Sequence, residues 1–571
     1  LGPMSAHAFL RTDHVRTSCY LGMRDGIRLA IDILRPAAGG IVHDDPRPVI
    51  WIATKYQRAR ITASGQIETI LARIPVLRTL LHAGYVIAVL DMRGSGASFG
   101  VMNGTDAPTD KVFRDDLHEV ATWLNARPWC NGAIGMYGVS YVAGTQIAAA
   151  MSRPPGLRCI VPQQVTANSN RGLMKINGIQ NVRFRDRRDT IMQRLNVERP
   201  AAPVDEDEDG MMLAAAVEEH RAQRASLQEL VAETPKAEDR RQKEPAVSPW
   251  PAIAASGIAV FHWGSWRDLF PDETLKLYAM LRDTNPSRLV MGPWTHEAQE
   301  RLDTPGLDIA GALRRWYDFW LKGEDDGYSS EPAVRYVMLR TSGDHAWREA
   351  AHWPPTIDGY AELAMSSGGL LCEGPGSGHT DYVVDQTVTT APFATRYSMD
   401  RGEADFRAFD ARAATFTTQP FTEDAEIVGA PTLDLWLCAD APDADVFAYL
   451  QVVEPDGASR TLTEGMMRAS CRHDGTEPLT PDRPTKLRIG MLPTAVQVRA
   501  GECLRLAITG ADGGVWDGLR RDPPRRLRLH HDRASPSKLI LPFLQGEPPP
   551  VQHPCARRAA NSIAIGASQH D

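Results

Sequence analysis

The sequence predicts an α/β fold with a second, all-β domain behind it, and three observations carry that reading. Short apolar runs at 49–54, 85–90, 133–137, 157–161, 258–263 and 288–291 alternate with helical segments. Runs that are apolar without alternating are buried on both faces, as strands of a parallel sheet covered by helices are. Beyond about residue 330 the helical periodicity is lost, and short alternating runs separated by Gly, Pro, Asp and Asn take over, the pattern of a sandwich or jelly roll. The length, 571 residues, is too great for a single core.

In chain order, Ile27, Leu29, Ile31 and Ile33 alternate with Arg28, Ala30 and Asp32, which is strand period after the hairpin turn Arg24-Asp-Gly26. Residues 49–54 form a buried strand ending at Lys55-Tyr56, and a helix is expected over 70–83. The strand at 85–90 ends in Asp91-Met-Arg-Gly-Ser-Gly-Ala-Ser98. Gly94-x-Gly96 invites a dinucleotide reading, but the third glycine of that fingerprint falls at Phe99, so a structural turn is preferred. Leu117, Val120, Ala121 and Leu124 give a helix stripe.

The chain then turns on Ile134-Gly-Met-Tyr-Gly-Val-Ser-Tyr-Val-Ala-Gly-Thr-Gln146. Strand, sharp turn at a serine and helix make a nucleophile elbow, although the last glycine of G-x-S-x-G is Val142 here. Such a turn lifts the Ser140 hydroxyl clear of the sheet and aims the Tyr141 N–H at a developing oxyanion. Residues 166–250 read as a helical cap inserted into the core, with the acidic run 205–209 as a solvated connection. Arg183, Arg185, Arg187 and Arg188 could hold an anionic substrate; a solvent-facing helix with an Arg185–Asp189 pair is the preferred reading. The strand at 258–263 ends at Gly264-Ser-Trp-Arg-Asp268, and that at 288–291 ends at Gly292-Pro-Trp-Thr-His296. Leu313, Trp316, Trp320 and Leu321 form a core helix stripe. In the β domain Leu433, Leu435 and Leu437 alternate, as do Ala448, Leu450 and Val452, and Pro455-Asp-Gly457 turns between strands. The boundaries expected are 16–165 and 251–330 for the core, 166–250 for the cap, 331–545 for the β domain and 546–571 for a tail with Pro548-Pro-Pro550.

Ser140, Asp268 and His296 thus stand beyond the C-terminal ends of three strands, the edge where open α/β sheets build sites. Their order along the chain is that of an α/β-hydrolase. His296 would take the serine proton and Asp268 would fix the imidazole tautomer. Tyr56, also at a strand end, would supply a phenol beside the Tyr141 N–H as the oxyanion hole.

Composition is that of a globular protein, with 43% hydrophobic and 23% charged residues. A net charge of −8 disfavours a nucleic-acid partner. No apolar window is long enough to span a membrane. Leu1-Gly-Pro3 before Met4 reads as an expression remnant, and no secretory h-region follows. Eight cysteines without a C-x-x-C pair fit reduced thiols in a cytoplasm and no metal site. No cofactor is expected. The partner expected is a small-molecule ester or amide, with a homodimer as one option for assembly.

The motifs Met23-Arg-Asp-Gly-Ile-Arg-Leu-Ala, Asp91-Met-Arg-Gly-Ser-Gly-Ala-Ser, Gly135-Met-Tyr-Gly-Val-Ser-Tyr, Gly292-Pro-Trp-Thr-His, Arg315-Trp-Tyr-Asp-Phe-Trp-Leu-Lys-Gly and Val428-Gly-Ala-Pro-Thr-Leu resemble those of the cocaine esterase and X-Pro dipeptidyl-peptidase family. The resemblance covers about residues 16–545. It implies an α/β-hydrolase core, an inserted helical cap and a C-terminal jelly roll. It also implies a Ser140–His296–Asp268 triad with Tyr56 and Tyr141 at the oxyanion hole, and Phe270 lining an acyl pocket. The acid motif departs from the family's Gly-Trp-Tyr/Phe-Asp by one residue, which leaves Asp272 as the alternative acid, and Ala143 stands where a glycine is common. Relatives acting on α-amino esters carry acidic residues just after the catalytic aspartate; Leu269 and Phe270 stand there. The expectation is a serine hydrolase cleaving an ester, or an amide, of a small to medium acyl group through an acyl-enzyme. An acylase, an X-Pro peptidase, an acyltransferase and a catalytically silent binding protein are the rivals.

Overall fold

The computed structural model describes residues 13–101, 110–165, 175–199, 201–233, 250–296, 303–391, 405–473 and 477–545. The tail from 546 and the first residues of the chain lie outside the described residues.

The core strands are β1 (His14–Gly22), β2 (Arg28–Ala38), β3 (Arg47–Thr54), β4 (Val86–Asp91), β5 (Cys130–Val139), β6 (Leu157–Gln163), β7 (Ala259–Ser265), β8 (Ser287–Gly292), β9 (Val334–Met338) and β10 (Ala346–Ala350). They lie side by side in the order β1-β2-β4-β3-β5-β6-β7-β8-β9-β10, and Ile41–Val42 adds an eleventh strand beside β2. Pairing is parallel from β4 through β3 to β9 and antiparallel at both margins. The C-terminal ends of β3 to β8 therefore share one edge.

The longer helices among the described residues are α1 (Pro75–His82), α2 (Lys111–Asn125), α3 (Tyr141–Ser152), α4 (Val182–Gln193), α5 (Met211–Glu233), α6 (Pro271–Leu281) and α7 (Ile309–Tyr317). Strand period sorts the core into two faces. Val49, Trp51, Ala53, Val86, Ala88 and Leu90 pack with α2, α3 and α6, whereas Ile50, Ile52, Ile87 and Val89 pack with α1 and α7. Each fully buried aliphatic side chain contributes about 1.5–3 kcal/mol, so both covered faces hold the sheet.

One expectation is corrected. The helix expected over 70–83 breaks into Ile70–Arg73 and α1, because Pro75 drives Ile74 out of the helical region to φ −124°, ψ 91°. Both faces of β2 are buried: Ala30 and Asp32 lie under the segment 201–217 and a buried ion pair to Arg58. The acidic run 205–209 is exposed at every residue but Asp207, as a solvated connection should be, and it is also tied down at two points. Asp205 accepts hydrogen bonds from the Ser18 amide and hydroxyl at 2.7 Å, and buried Asp207 accepts from the Met212 and Leu213 amides at the start of α5.

The sheet also runs past residue 330, because β9 joins β8 in parallel and β10 folds back on β9. The β domain proper occupies Gly359–Ser366 through Lys538–Gln545, with thirteen strands hydrogen-bonded into one sheet. Leu433, Leu435 and Leu437 are fully buried there, and Gly457, at φ 86°, closes the turn between Asp445–Val453 and Ser459–Arg468. The cap is stitched to this domain: Ile179–Asn181 pairs with Trp516–Asp517. In α4, Arg185 pairs with its neighbour Asp186 rather than Asp189, and Arg183 donates to the Ala391 carbonyl. The seven described cysteines form no disulfide. Among the described residues no helix is long and apolar enough to cross a membrane, and no group of side chains could hold a metal ion.

Candidate active site

Ser140 follows the last residue of β5 and precedes α3, with φ 61° and ψ −120°. A serine with a positive φ stores strain that the surroundings must hold. Gly138, at φ 153°, makes the turn feasible: a Cβ there would meet Val142 Cγ1 at 2.1 Å. Val142 thus fills the space beside Gly138, which explains how the turn tolerates valine in place of the usual second glycine. The Ser140 amide donates to Gln163 O at 2.9 Å, anchoring the turn to β6. Serine at a helix start usually caps it; the Ser140 side chain makes no cap hydrogen bond to α3.

Asp268 and His296 come from the loops after β7 and β8. His296 Nδ1 lies 2.6 Å from Asp268 Oδ1, with both residues buried. The other carboxylate oxygen accepts the Phe270 amide at 3.2 Å. Asp272 is elsewhere, in the first turn of α6, paired with Lys276 at 3.0 Å on the surface. Despite its longer motif, the chain brings Asp268 and not Asp272 to the histidine. The Phe270 ring stands edge-on to His296 at 5.7 Å, and Leu269 and Phe270 are both buried. Among the described residues no hydrogen bond joins the Ser140 hydroxyl to His296; such bonds are often long in unliganded sites.

Gln164 links the two halves of the site. Its amide donates to Trp263 O at 2.7 Å, and its side chain donates to Thr295 O at 3.3 Å, next to His296. It sits at φ 47° and is fully buried. Nothing in its local sequence marks it out, since its partners are distant in the chain, Thr295 by 131 positions.

Tyr56 follows β3. Its ring meets that of Tyr141 at 6.1 Å, edge to face, and the buried Lys55 ammonium lies 4.0 Å from the Tyr141 ring centroid. Behind this loop, Arg58 is fully buried between Asp32 at 2.8 Å and Asp91 at 3.7 Å. Burial pushes the Asp91 carboxyl up to about 6, opposed by the Arg58 charge. Asp91 also accepts the Arg58 and Ala97 amides, and the Ser98 hydroxyl bonds Asp91 O. The Asp91–Ser98 motif accordingly braces Arg58, in the loop after β3, through hydrogen bonds made within the chain.

A parallel sheet in this order, with a serine on a strained turn after its fifth strand and a buried acid–histidine pair after the seventh and eighth, defines an α/β-hydrolase core. The model of X-Pro dipeptidyl-peptidase (S15 family) matches residues 25–298, and that of the X-Pro dipeptidyl-peptidase C-terminal non-catalytic domain matches residues 326–539. Cocaine esterase of Rhodococcus sp. (strain MB1 Bresler) is 24% identical over 93% of this chain and 99% of its own. A Mycobacterium tuberculosis protein that carries the provisional name of serine esterase is 28% identical over 93% of this chain and 95% of its own. In fold, an aminopeptidase from a marine sediment Thaumarchaeota archaeon is similar at TM-score 0.76, with 19% identity over 95% of this chain and 98% of that one. A CocE/NonD family hydrolase from Staphylococcus aureus is similar at TM-score 0.70, with 20% identity over 93% and 94%. The chain belongs to the cocaine esterase and X-Pro dipeptidyl-peptidase family, and it is a serine hydrolase.

Proposed function

We propose that Ser140, His296 and Asp268 form the catalytic triad of an esterase acting on small to medium, largely apolar acyl groups. The observation that carries this reading is the buried 2.6 Å contact between His296 Nδ1 and Asp268 Oδ1. A carboxylate there holds the proton on Nδ1 and leaves Nε2 basic. Nε2 takes the Ser140 proton as Oγ bonds to the acyl carbon. The carbonyl oxygen becomes an oxyanion that accepts hydrogen bonds from the Tyr141 N–H at the start of α3 and from the Tyr56 phenol. His296 then gives the proton to the leaving oxygen, the carbon–oxygen bond breaks, and Ser140 is left acylated. Water, deprotonated by the same imidazole, repeats the sequence and frees the acid.

The wall beside His296 favours an apolar acyl group. Leu269 and Phe270, both buried, stand where relatives acting on α-amino esters carry acidic residues. A free ammonium next to them would lose its hydration with no counter-charge from these two positions. An ester of an unaminated acid therefore suits this wall better than an amino acid ester or an X-Pro peptide.

The experiment is intact mass after incubation with a fluorophosphonate, alongside turnover of p-nitrophenyl esters and matched anilides. One adduct on the wild-type chain, absent from Ser140→Ala, with esters turned over at least tenfold faster than anilides, is expected. An adduct that persists in Ser140→Ala removes this serine from the mechanism. Faster anilide turnover replaces esterase by amidase.

A further inference from the structure

We infer that Arg73 is a positioning residue for the oxyanion hole, acting through Tyr56; this rests on the reading of Tyr56 as an oxyanion donor. Arg73 closes the short helix Ile70–Arg73, and its guanidinium reaches back over the loop after β3. It donates to Tyr56 O at 2.9 Å, to Gln57 O, and to Arg58 O at 3.2 Å. One planar donor group thus grips three consecutive carbonyls, which a flexible ammonium cannot match.

The grip falls where the loop is under strain. Gln57 holds φ 67°, left-handed for a residue with a side chain, and is buried. Its side-chain amide donates to Leu195 O at 2.6 Å and to Arg199 O, in the π-helical turn Arg194–Glu198 of the cap and just after it. The Tyr56 amide donates to Thr54 Oγ1 at 2.9 Å. Thr54, Arg73 and Gln57 therefore fix the backbone on both sides of Tyr56. The direction of its phenol follows from that backbone. An oxyanion donor misplaced by a fraction of an ångström loses most of its effect, because stabilisation depends on fixed dipoles aimed in advance.

The test is a double-mutant cycle on a p-nitrophenyl ester, with kcat and KM read separately and folding checked by thermal melting. Arg73→Ala should lower kcat about 10- to 100-fold with KM within about twofold, and Tyr56→Phe should cost about 10² to 10³ in kcat. The double variant should be no slower than Tyr56→Phe alone, within about threefold, since Arg73 then has no donor to aim. Arg73→Lys should fall between the wild type and Arg73→Ala. It carries the same cycle if the alanine chain does not fold. Additive losses in the double variant overturn the proposal and mark Arg73 as structural only, as does Arg73→Lys at wild-type kcat. An unchanged kcat in Tyr56→Phe overturns the oxyanion reading itself, and the role of Arg73 with it.

Discussion

Replacing Asp268 by asparagine probes the acid without changing its shape. The carboxylate makes two contacts, to His296 Nδ1 at 2.6 Å and to the Phe270 amide at 3.2 Å. Asparagine can keep the second through its amide oxygen. It must then present its NH2 group to Nδ1, which reverses the imidazole: Nδ1 accepts, Nε2 carries the proton, and the serine loses its base. A wrong tautomer in a triad of this kind costs about 10⁴ in kcat. At 1.36 kcal/mol per tenfold, that is about 5.4 kcal/mol of lost transition-state stabilisation. Stability should change little, since volume and the Phe270 contact survive. The assay is kcat and KM for a p-nitrophenyl ester across pH 5–9, with thermal melting as the control. Asp272→Asn is the matched comparison, because Asp272 sits in a surface pair with Lys276, and its kcat should stay within about twofold. A kcat for Asp268→Asn within threefold of wild type would falsify the tautomer argument. A large loss in Asp272→Asn would move the acid to that position.

Two further outcomes follow from the frame around the site. Gly138→Ala should lower stability by about 1–3 kcal/mol or more, because its Cβ would sit 2.1 Å from Val142 Cγ1 at φ 153°; a denaturant midpoint equal to wild type refutes the packing account. For Asp91, the folded carboxyl is raised from 3.8 to about 6 by burial, so the native state binds the proton more tightly than the unfolded chain. Its contribution is therefore largest below about pH 4 and is lost as pH rises through about 6. Denaturation midpoints of wild type relative to Asp91→Asn should accordingly fall between pH 4 and 6, and a flat or rising difference sinks the assignment.

Much was legible from local chemistry. The unalternating apolar runs around 49–54, 86–90 and 134–137 require cover on both faces, and α1, α2, α3, α6 and α7 supply it. The Gly138-Val-Ser140 tripeptide says little alone, but it lies between an apolar run and a helical segment, and that succession marks the turn. The order Ser, Asp, His then pointed to one sheet edge. Pro75 carried a signal for the helix break that apolar periodicity alone overrides.

What needed the tertiary structure has one physical cause: contacts between residues distant in sequence leave no local pattern. Asp268 and Asp272 are acids four positions apart, and only the fold brings the former to a histidine 28 residues away while leaving the latter on the surface. The run of acids 205–209 is largely solvated, but only the fold shows that Asp205 also binds Ser18 and that buried Asp207 binds the start of α5. The sheet passes residue 330 because β8 leaves an open edge that β9 fills, whatever the composition of the segment. Gln164 and Arg73 carry no motif at all. Sequence by itself determined the strands, the sharp serine turn and the order Ser, Asp, His; the packed chain decided which acid meets His296, what covers β2, and what holds the Tyr56 backbone in place, because those depend on where the backbone ends up and not on which residues are neighbours along it.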